Sequence, residues 1–358
     1  MEIAVLGGGN GSYAAAADLA EQGHAVRFWR RDAEAFAQTL TARAIELKDY
    51  RGARRVPLAL VTIGLGEAVR RAPLIVVPTP AFAQADIARA LAPHLSDGQV
   101  IFLPPGTFGS YVMMRAVREA GCGADIAIAE TGTLPWLTRK HGPNTVAITT
   151  RASRLPTGVF PQRHAEAALK VLRQAFPSVE PCGDALSGAL MNAGPIIHPP
   201  LIVMNAGPIE HFERWDIHKE GTQASIRRVT DLLDGERIAA REALGYGVPH
   251  FPLRDHYHTG DWMYGNLAHD KLVDSGDWKE KLDLTRHRYM TEDIGYGLSF
   301  LVSVCDWAGV QCPLARAFLS IGSAITGQDY AHGPRTLGVL GLAGYDRTRM
   351  RALLRDGL

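Results

Sequence analysis

The sequence has few cysteines, no long apolar run and almost no net charge. Its four cysteines, Cys122, Cys182, Cys305 and Cys312, form neither a C-x-x-C pair nor a spacing typical of a metal site, which argues against a disulfide framework or a zinc centre. With 38 lysines and arginines against 37 aspartates and glutamates, the net charge is +1, so no basic surface for nucleic acid or a membrane is indicated. No apolar run approaches the roughly 18 residues of a membrane helix, and no secretory leader is recognisable at the start. These absences predict a cytoplasmic protein with small-molecule partners, and they leave the oligomeric state open, a homodimer included.

What the sequence does contain is a glycine-rich turn close to its start. An apolar run at residues 3–6 precedes the turn and a second run at residues 25–29 follows it, which predicts strand, turn, helix and strand. Gly7, Gly9 and Ser12 fall on the G-x-G-x-x-G/A spacing of dinucleotide-binding turns, with serine where glycine or alanine is usual. The residues expected to bind the cofactor here are Gly7, Gly9, Asn10, Gly11 and Ser12. The alternative is a glycine turn with only a structural role.

The end of the second predicted strand bears on which dinucleotide is bound. NAD-dependent enzymes usually carry Asp or Glu there, because a carboxylate accepts hydrogen bonds from the ribose hydroxyls and repels a 2′-phosphate. This sequence has Arg30 and Arg31 instead, and guanidinium groups suit a phosphate dianion. The expected cofactor is therefore NADP(H). NAD(H) is the alternative, if Asp32 takes the ribose and one arginine stacks on the adenine.

The length and the order of the apolar runs predict two domains. A chain of 358 residues is long enough for two cores. Over residues 1–180, short apolar runs alternate with helical periodicity, which predicts an α/β, Rossmann-type, doubly wound and mostly parallel sheet. Its further strands are expected at residues 58–63, 74–77, 100–103, 125–129 and 145–149. Over residues 181–358, helical spacing at 223–244 and 293–308 predicts a mainly α-helical domain.

Two stretches of the second half contain residues suited to acid–base chemistry. His198 lies in an apolar stretch bounded by prolines, where an imidazole has no surface to reach, so it is the candidate that moves a proton. The second stretch is residues 286–293, where a carboxylate buried near His198 would orient its ring and an arginine would hold a substrate carboxylate with two hydrogen bonds. The structural alternatives are a core histidine bonded to a backbone carbonyl and a helix N-terminus at residues 291–293.

On these motifs the chain resembles the opine dehydrogenases, the octopine/nopaline dehydrogenase family, almost from end to end. The glycine turn that contains Asn10 matches the start of the family's sequence. The stretch from Asn192 to Ile197-His198-Pro199 resembles its histidine motif. Arg288-Tyr289-Met290-Thr291-Glu292-Asp293, followed by Tyr296-Gly297-Leu298, resembles its Arg/Asp motif, and residues 329–342 resemble its closing segment.

The resemblance implies a reductive condensation. The amine of an L-amino acid and the carbonyl of a 2-oxo acid would form an imine, which NAD(P)H reduces to an N-(1-carboxyalkyl)amino acid. By the same resemblance His198 would be the general acid/base, Asp293 its orienting partner and Arg288 a carboxylate anchor, while Asn192 would contact substrate. Arg30 and Arg31 depart from the family pattern and leave its usual preference for NAD in question.

Two other functions remain open on the sequence alone. A hydroxyacid or sugar-phosphate dehydrogenase of similar two-domain build would rely on a catalytic lysine, for which Lys140 is the candidate. A non-catalytic nucleotide sensor would keep the glycine turn without the chemistry. His256 and His258, with Asp261 nearby, form an H-x-H motif, but a single such motif in a loop is usually incidental, so no metal site is predicted.

Overall fold

The computed structural model describes residues 1–265, 267–279 and 281–358. These residues form two compact units, Met1–Ala189 with Ala352–Leu358, and Leu190–Arg351. The division expected from the sequence, between residues 180 and 181, differs from this one at two places. A strand at Val179–Asp184 pairs within the first unit's sheet and extends that unit. The C-terminal residues join it because Arg163 Nη1 donates to the Asp356 carbonyl and Gly357 lies against Pro161.

The first unit is organised around an eight-stranded sheet. Its inner strands are short runs buried on both faces, as parallel strands covered by helices must be. The strands of the unit are β1 Glu2–Leu6, β2 Ala25–Trp29, β3 Ala44–Asp49, β4 Gly52–Pro57, β5 Leu60–Thr62, β6 Leu74–Val76, β7 Val100–Leu103, β8 Ala127–Thr131, β9 Trp136–Lys140, β10 Thr145–Arg151, β11 Leu155–Phe160 and β12 Val179–Asp184. The order in the large sheet is β12-β11-β8-β7-β6-β1-β2-β5. Only the β8–β11 pair is antiparallel, so this is the mostly parallel, Rossmann-type sheet that the sequence predicted.

A second, four-stranded sheet in the same unit has the order β4-β3-β10-β9. The prediction that residues 145–149 continue the large parallel sheet is wrong, because β10 pairs with β3 in parallel and with β9 in antiparallel orientation. Every second residue of β10 is buried, which is typical of a strand covered on one face. This alternation argues against placing residues 145–149 in a sheet that helices cover on both faces.

Helix α1, Asn10–Glu21, contacts strands of both sheets. Residues 11–19 are all buried, and the alanines among them keep the helix thin enough for strands on either side. Asp18 ties the helix to the small sheet, since its carboxylate accepts from Trp136 Nε1 at 2.8 Å and from Arg151 Nε at 2.7 Å. The C-terminal half of α1 is therefore bonded to the small sheet.

The second unit is mainly helical, as predicted. The first unit contains α1 with α2 Ala37–Ala42, α3 Leu65–Val69, α4 Gln84–Leu91, α5 Gly109–Glu119, α6 Ala165–Ala175 and α7 Ala185–Ala189. The second contains α8 Gly194–Val203, α9 Ala206–His211, α10 Ala224–Ala243, α11 Arg254–His258, α12 Ala268–Ser275, a π-helical segment at Tyr289–Leu298, α13 Ser299–Ala308 and α14 Pro313–Thr326, and α15 Arg347–Asp356 closes the chain. Among the described residues, no helix combines the length and the apolar character needed to cross a membrane.

Candidate active site

The glycine turn lies between β1 and α1. Gly7 has a φ of +118°, a conformation that favours glycine, and a side chain there would meet Ser12 Oγ at 2.6 Å. Ser12 donates to the Leu6 carbonyl at 3.3 Å, so a serine fits where a third glycine is usual. Gly9 precedes α1 without a side-chain cap, and the space where its Cβ would stand is open. The first N–H groups of α1 are therefore left for an anion, and the turn fits the pyrophosphate of a dinucleotide.

Asn10 and Gly11 hold this turn against its surroundings. Asn10 is the first residue of α1, and its Oδ1 accepts a hydrogen bond from the Lys140 backbone N–H at 3.0 Å. Gly11 is buried, and a Cβ added to it would lie 2.8 Å from Leu134 and 3.1 Å from Pro78. Both contacts are within the protein, so direct binding of the cofactor by Asn10 and Gly11 stays a prediction.

The two arginines after β2 take different positions. Arg30 folds back over the turn, with its side chain lying where a Cβ on Gly8 would be and its Nη1 donating to the Ala35 carbonyl at 2.9 Å. Arg31 is exposed. Asp32 is exposed as well, and its carboxylate accepts from the Ala35 N–H at 3.0 Å. The G-x-G-x-x-G/A spacing gives Gly8 no role. The structure shows that the absence of a side chain at Gly8 leaves the space that Arg30 occupies.

His198 and Asp293 meet in the second unit, although 95 positions separate them in the chain. His198 Nδ1 lies 2.7 Å from Asp293 Oδ2, and the two side chains are only 19% and 7% exposed. Because a carboxylate can only accept, Nδ1 carries the proton and Nε2 is the basic nitrogen of the neutral ring. The partner of His198 is thus a carboxylate rather than the backbone carbonyl of the structural alternative. An imidazole oriented in this way is suited to move a proton.

Glycines allow the two segments that carry these residues to approach closely. His198 lies in α8, and Asp293 lies within the π-helical segment. Gly194 lies against the Asp293 carboxylate and Gly297 against Pro195, and a Cβ at either glycine would occupy the same space as its neighbour. The alternative of a helix N-terminus at residues 291–293 agrees in part with the structure, because the segment begins at Tyr289 and has Glu292 in its first turn. π-Helical turns are rare and often occur at functional sites.

An aromatic ring supports the His198 imidazole. Tyr289 stacks on it with the ring centroids 3.6 Å apart and the planes at 11°. His218 lies edge-on to His198 at 6.3 Å. The sequence analysis gave neither residue a role. The position of Tyr289 inside the Arg/Asp motif could have indicated that it belongs to the site. No spacing rule connects His218 with His198. Together the carboxylate and the stacked ring fix the imidazole plane.

The two residues predicted to bind substrate lie in the same segments. Arg288 immediately precedes the π-helical segment, its side chain is 56% exposed, and its Nη2 lies 3.1 Å from Glu292 Oε2. Asn192 is buried, and its Oδ1 accepts from the N–H of Gly194, the residue that lies against Asp293. Contact of Arg288 and Asn192 with a substrate stays a prediction.

The H-x-H motif lies at the end of α11. His256 is buried, edge-on to His269 with the ring centroids 5.8 Å apart, and packs on Trp262. Burial, reinforced by His269 and Arg227, lowers the pKa of His256 to about 3, so the ring is neutral at pH 7. Within residues 1–265, 267–279 and 281–358, no group of three or more His, Cys, Asp or Glu side chains is placed to hold a metal ion.

Family models match both halves of the chain. Residues 181–326 match the model of the NAD/NADP octopine/nopaline dehydrogenase alpha-helical domain, and residues 2–104 match that of the NAD-dependent glycerol-3-phosphate dehydrogenase N-terminus. An opine dehydrogenase of Arthrobacter sp. (strain 1C) is 28% identical over 356 residues, which cover 98% of this chain and 97% of the relative.

Solved structures match the fold along the whole chain. An octopine dehydrogenase in complex with NADH and agmatine has a TM-score of 0.73 at 18% identity and covers 100% of this chain, with 98% of its own length covered. A yersinopine dehydrogenase with NADP+ bound has a TM-score of 0.64 at 15% identity, with 99% of this chain and 98% of the other covered. At these identities the likeness establishes the two-part fold.

Proposed function

Since this chain belongs to the opine dehydrogenase family, we propose that it joins an L-amino acid to a 2-oxo acid such as pyruvate in an NAD(P)H-dependent reductive condensation. The product is an N-(1-carboxyalkyl)amino acid, and the enzyme is an NAD(P)-dependent oxidoreductase acting on CH–NH groups. The observation that carries the proposal is the hydrogen-bonded pair of His198 and Asp293 in the helical unit. The glycine turn before α1 supplies the dinucleotide site.

His198 moves the proton of the condensation step. The amine nitrogen of the amino acid bonds to the carbonyl carbon of the 2-oxo acid, and Nε2 of His198 accepts the proton that this nitrogen gives up. Nε2 returns this proton to the oxygen to give a hydroxyl group, and a second proton passed from the amine nitrogen in the same way lets the hydroxyl leave as water when the C=N bond forms. Asp293 holds Nδ1 and balances the positive charge of the ring between the two transfers. A bound nicotinamide would supply the hydride that reduces the imine carbon, and the nitrogen takes up a proton as the C–H bond forms.

Arg288 anchors a substrate carboxylate. Both substrates carry one, and a planar guanidinium binds a carboxylate through two parallel hydrogen bonds. The half-exposed side chain of Arg288 is available for this, while its ion pair with Glu292 keeps it close to the π-helical segment that carries Asp293. Asn192, at the start of the segment that carries His198, is the second proposed substrate contact.

A screen of cofactor oxidation tests the proposal. Purified enzyme is mixed with NADPH or NADH and with pairs of L-amino acids and 2-oxo acids, and the loss of cofactor fluorescence is followed. Oxidation is expected only when both organic substrates are present, and mass spectrometry is expected to find their sum less water plus two hydrogens. Oxidation with a 2-oxo acid or dihydroxyacetone phosphate alone would indicate the hydroxyacid or sugar-phosphate alternative. Cofactor binding without any oxidation would indicate a nucleotide sensor.

The proposed cofactor preference is NADP(H), with NAD(H) also accepted. It is supported by Arg30, which lies on the glycine turn, and by the exposed carboxylate of Asp32, which serves a local backbone turn. The remaining partners are the two small-molecule substrates, and a homodimer is the oligomer to test by light scattering. The four free cysteines support a reducing compartment, and we propose that this is the cytoplasm.

A further inference from the structure

A second cation lies beside the glycine turn. Lys140 is the last residue of β9, and its backbone N–H donates to Asn10 Oδ1 at 3.0 Å. Its Nζ lies 3.6 Å from the centre of the Tyr13 ring. Asn10 and Tyr13 both belong to the first turn of α1, and Tyr13 is fully buried. The ammonium of Lys140 is therefore held next to the N-terminus of that helix.

Arg30, which directly follows β2, reaches the same turn. Its side chain lies on Gly8 and is held there by the bond to the Ala35 carbonyl. Its nearest carboxylate, that of Asp32, is 4.0 Å from Nη2 and is mostly exposed. Within the part of the chain that the structure describes, no carboxylate is paired with Lys140.

The two cations influence one another. Lys140 is half-buried, and this burial, together with the charge of Arg30, lowers its pKa to about 8. Positive charges beside the positive end of a helix repel one another, and a bound anion relieves this repulsion. Such an arrangement favours a doubly charged phosphate.

The position of the pair indicates which phosphate is bound. The N–H groups after Gly9 are suited to the pyrophosphate, whereas the end of β2, which leads into Arg30, is where a Rossmann-type site places the adenosine ribose. We infer that Lys140 and Arg30 together bind the 2′-phosphate of NADP(H), so that Lys140 determines cofactor specificity. The inference rests on the dinucleotide site of the proposed function, and it assigns Lys140 to the cofactor rather than to catalysis.

Equilibrium binding to the full-length protein tests this without turnover. Dissociation constants for NADPH and NADH are measured by fluorescence for the wild type, Lys140→Gln and Lys140→Arg. Lys140→Gln is expected to weaken NADPH binding about tenfold to a hundredfold, because one charge-assisted phosphate contact is lost. Binding of NADH is expected to change less than about threefold, and Lys140→Arg to keep most of the preference for NADPH. Lys48→Gln, which changes an exposed lysine of β3 in the same sheet, is the matched control and leaves both constants unchanged.

Several outcomes would overturn the inference. If Lys140→Gln weakened the binding of NADPH and NADH equally, Lys140 would contact the pyrophosphate instead. If it weakened neither, Lys140 would not contact the cofactor. If Lys140→Gln does not fold, Lys140→Arg and competition against NADPH by adenosine 2′,5′-bisphosphate and ADP decide the question. A wild type that binds the two competitors equally contradicts the inference. Because neither organic substrate is present, these results are independent of whether the enzyme forms opines.

Discussion

Replacing Asp293 by asparagine tests the central geometry of the proposed active site. Asparagine keeps the shape of the side chain but removes its charge. For charge centres about 4 Å apart and an effective dielectric of about 20, a carboxylate stabilises an imidazolium by about 4 kcal/mol, which corresponds to roughly a thousandfold in rate. This dielectric suits a pair in which His198 is still 19% exposed and Asp293 7%. The asparagine amide also donates to Nδ1, which favours the wrong tautomer and adds to the loss.

The assay is a single turnover with enzyme in excess over NADPH, so that product release does not hide the chemical step. The substrate pair is the one identified by the oxidation screen. Asp293→Asn is expected to slow this step about a thousandfold while the Kd for NADPH and the melting temperature stay close to those of the wild type. Asp306→Asn is the control, because Asp306 is a mostly exposed carboxylate of α13 in the same unit. A rate for Asp293→Asn within about threefold of the wild type, in a folded protein that binds NADPH, would refute the assigned role.

Three further predictions follow from other contacts in the structure. Tyr289→Leu is expected to lower the single-turnover rate about threefold to tenfold and Tyr289→Phe to leave it nearly unchanged, because phenylalanine keeps the stack on the imidazole; equal losses in both would contradict stacking as the cause. Gly194→Ala is expected to displace the Asp293 carboxylate and to reduce turnover without weakening NADPH binding. Normal turnover would contradict this, because it would mean that the backbone shifts to make room for the added methyl group. The hydrogen bond from Arg54 holds the pKa of Asp49 well below its ordinary value of 3.8, so its contribution to stability is present at neutral pH and is lost as the pH falls below about 4. Asp49→Asn is therefore expected to lower the melting temperature at pH 7 and to flatten its fall in acid, and parallel curves for the two proteins would contradict this.

Much of the first unit could be predicted from the sequence. The strands β2 and β7 have the predicted bounds, and the predicted glycine turn lies between β1 and α1, with a positive φ at Gly7. These features depend on residues close together in the chain, where apolar runs and glycine positions report directly on local structure. The prediction failed for β10, because an apolar run indicates a strand without saying which sheet it joins.

The site was only partly predictable. The sequence, through its resemblance to a family, proposed His198 and Asp293 as partners, but it gave Tyr289 no role and did not show that the helical segment beginning there is π-helical. Nothing in the spacing of residues shows that Lys140 and Arg30 lie at one turn, since they come from different strands and are brought there by the packing of α1 between two sheets.

By itself the sequence determined the local elements and the glycine turn, because each of these follows from residue types at short, regular spacings, and the resemblance of its motifs to a known family indicated the class of chemistry. Tertiary structure alone decided which nitrogen of His198 is bonded to a carboxylate, which ring supports it and which cations lie beside the glycine turn. The physical reason is close approach: Gly8 and Gly194 bring distant side chains within contact distance, and such contacts depend on three-dimensional packing rather than on position along the chain.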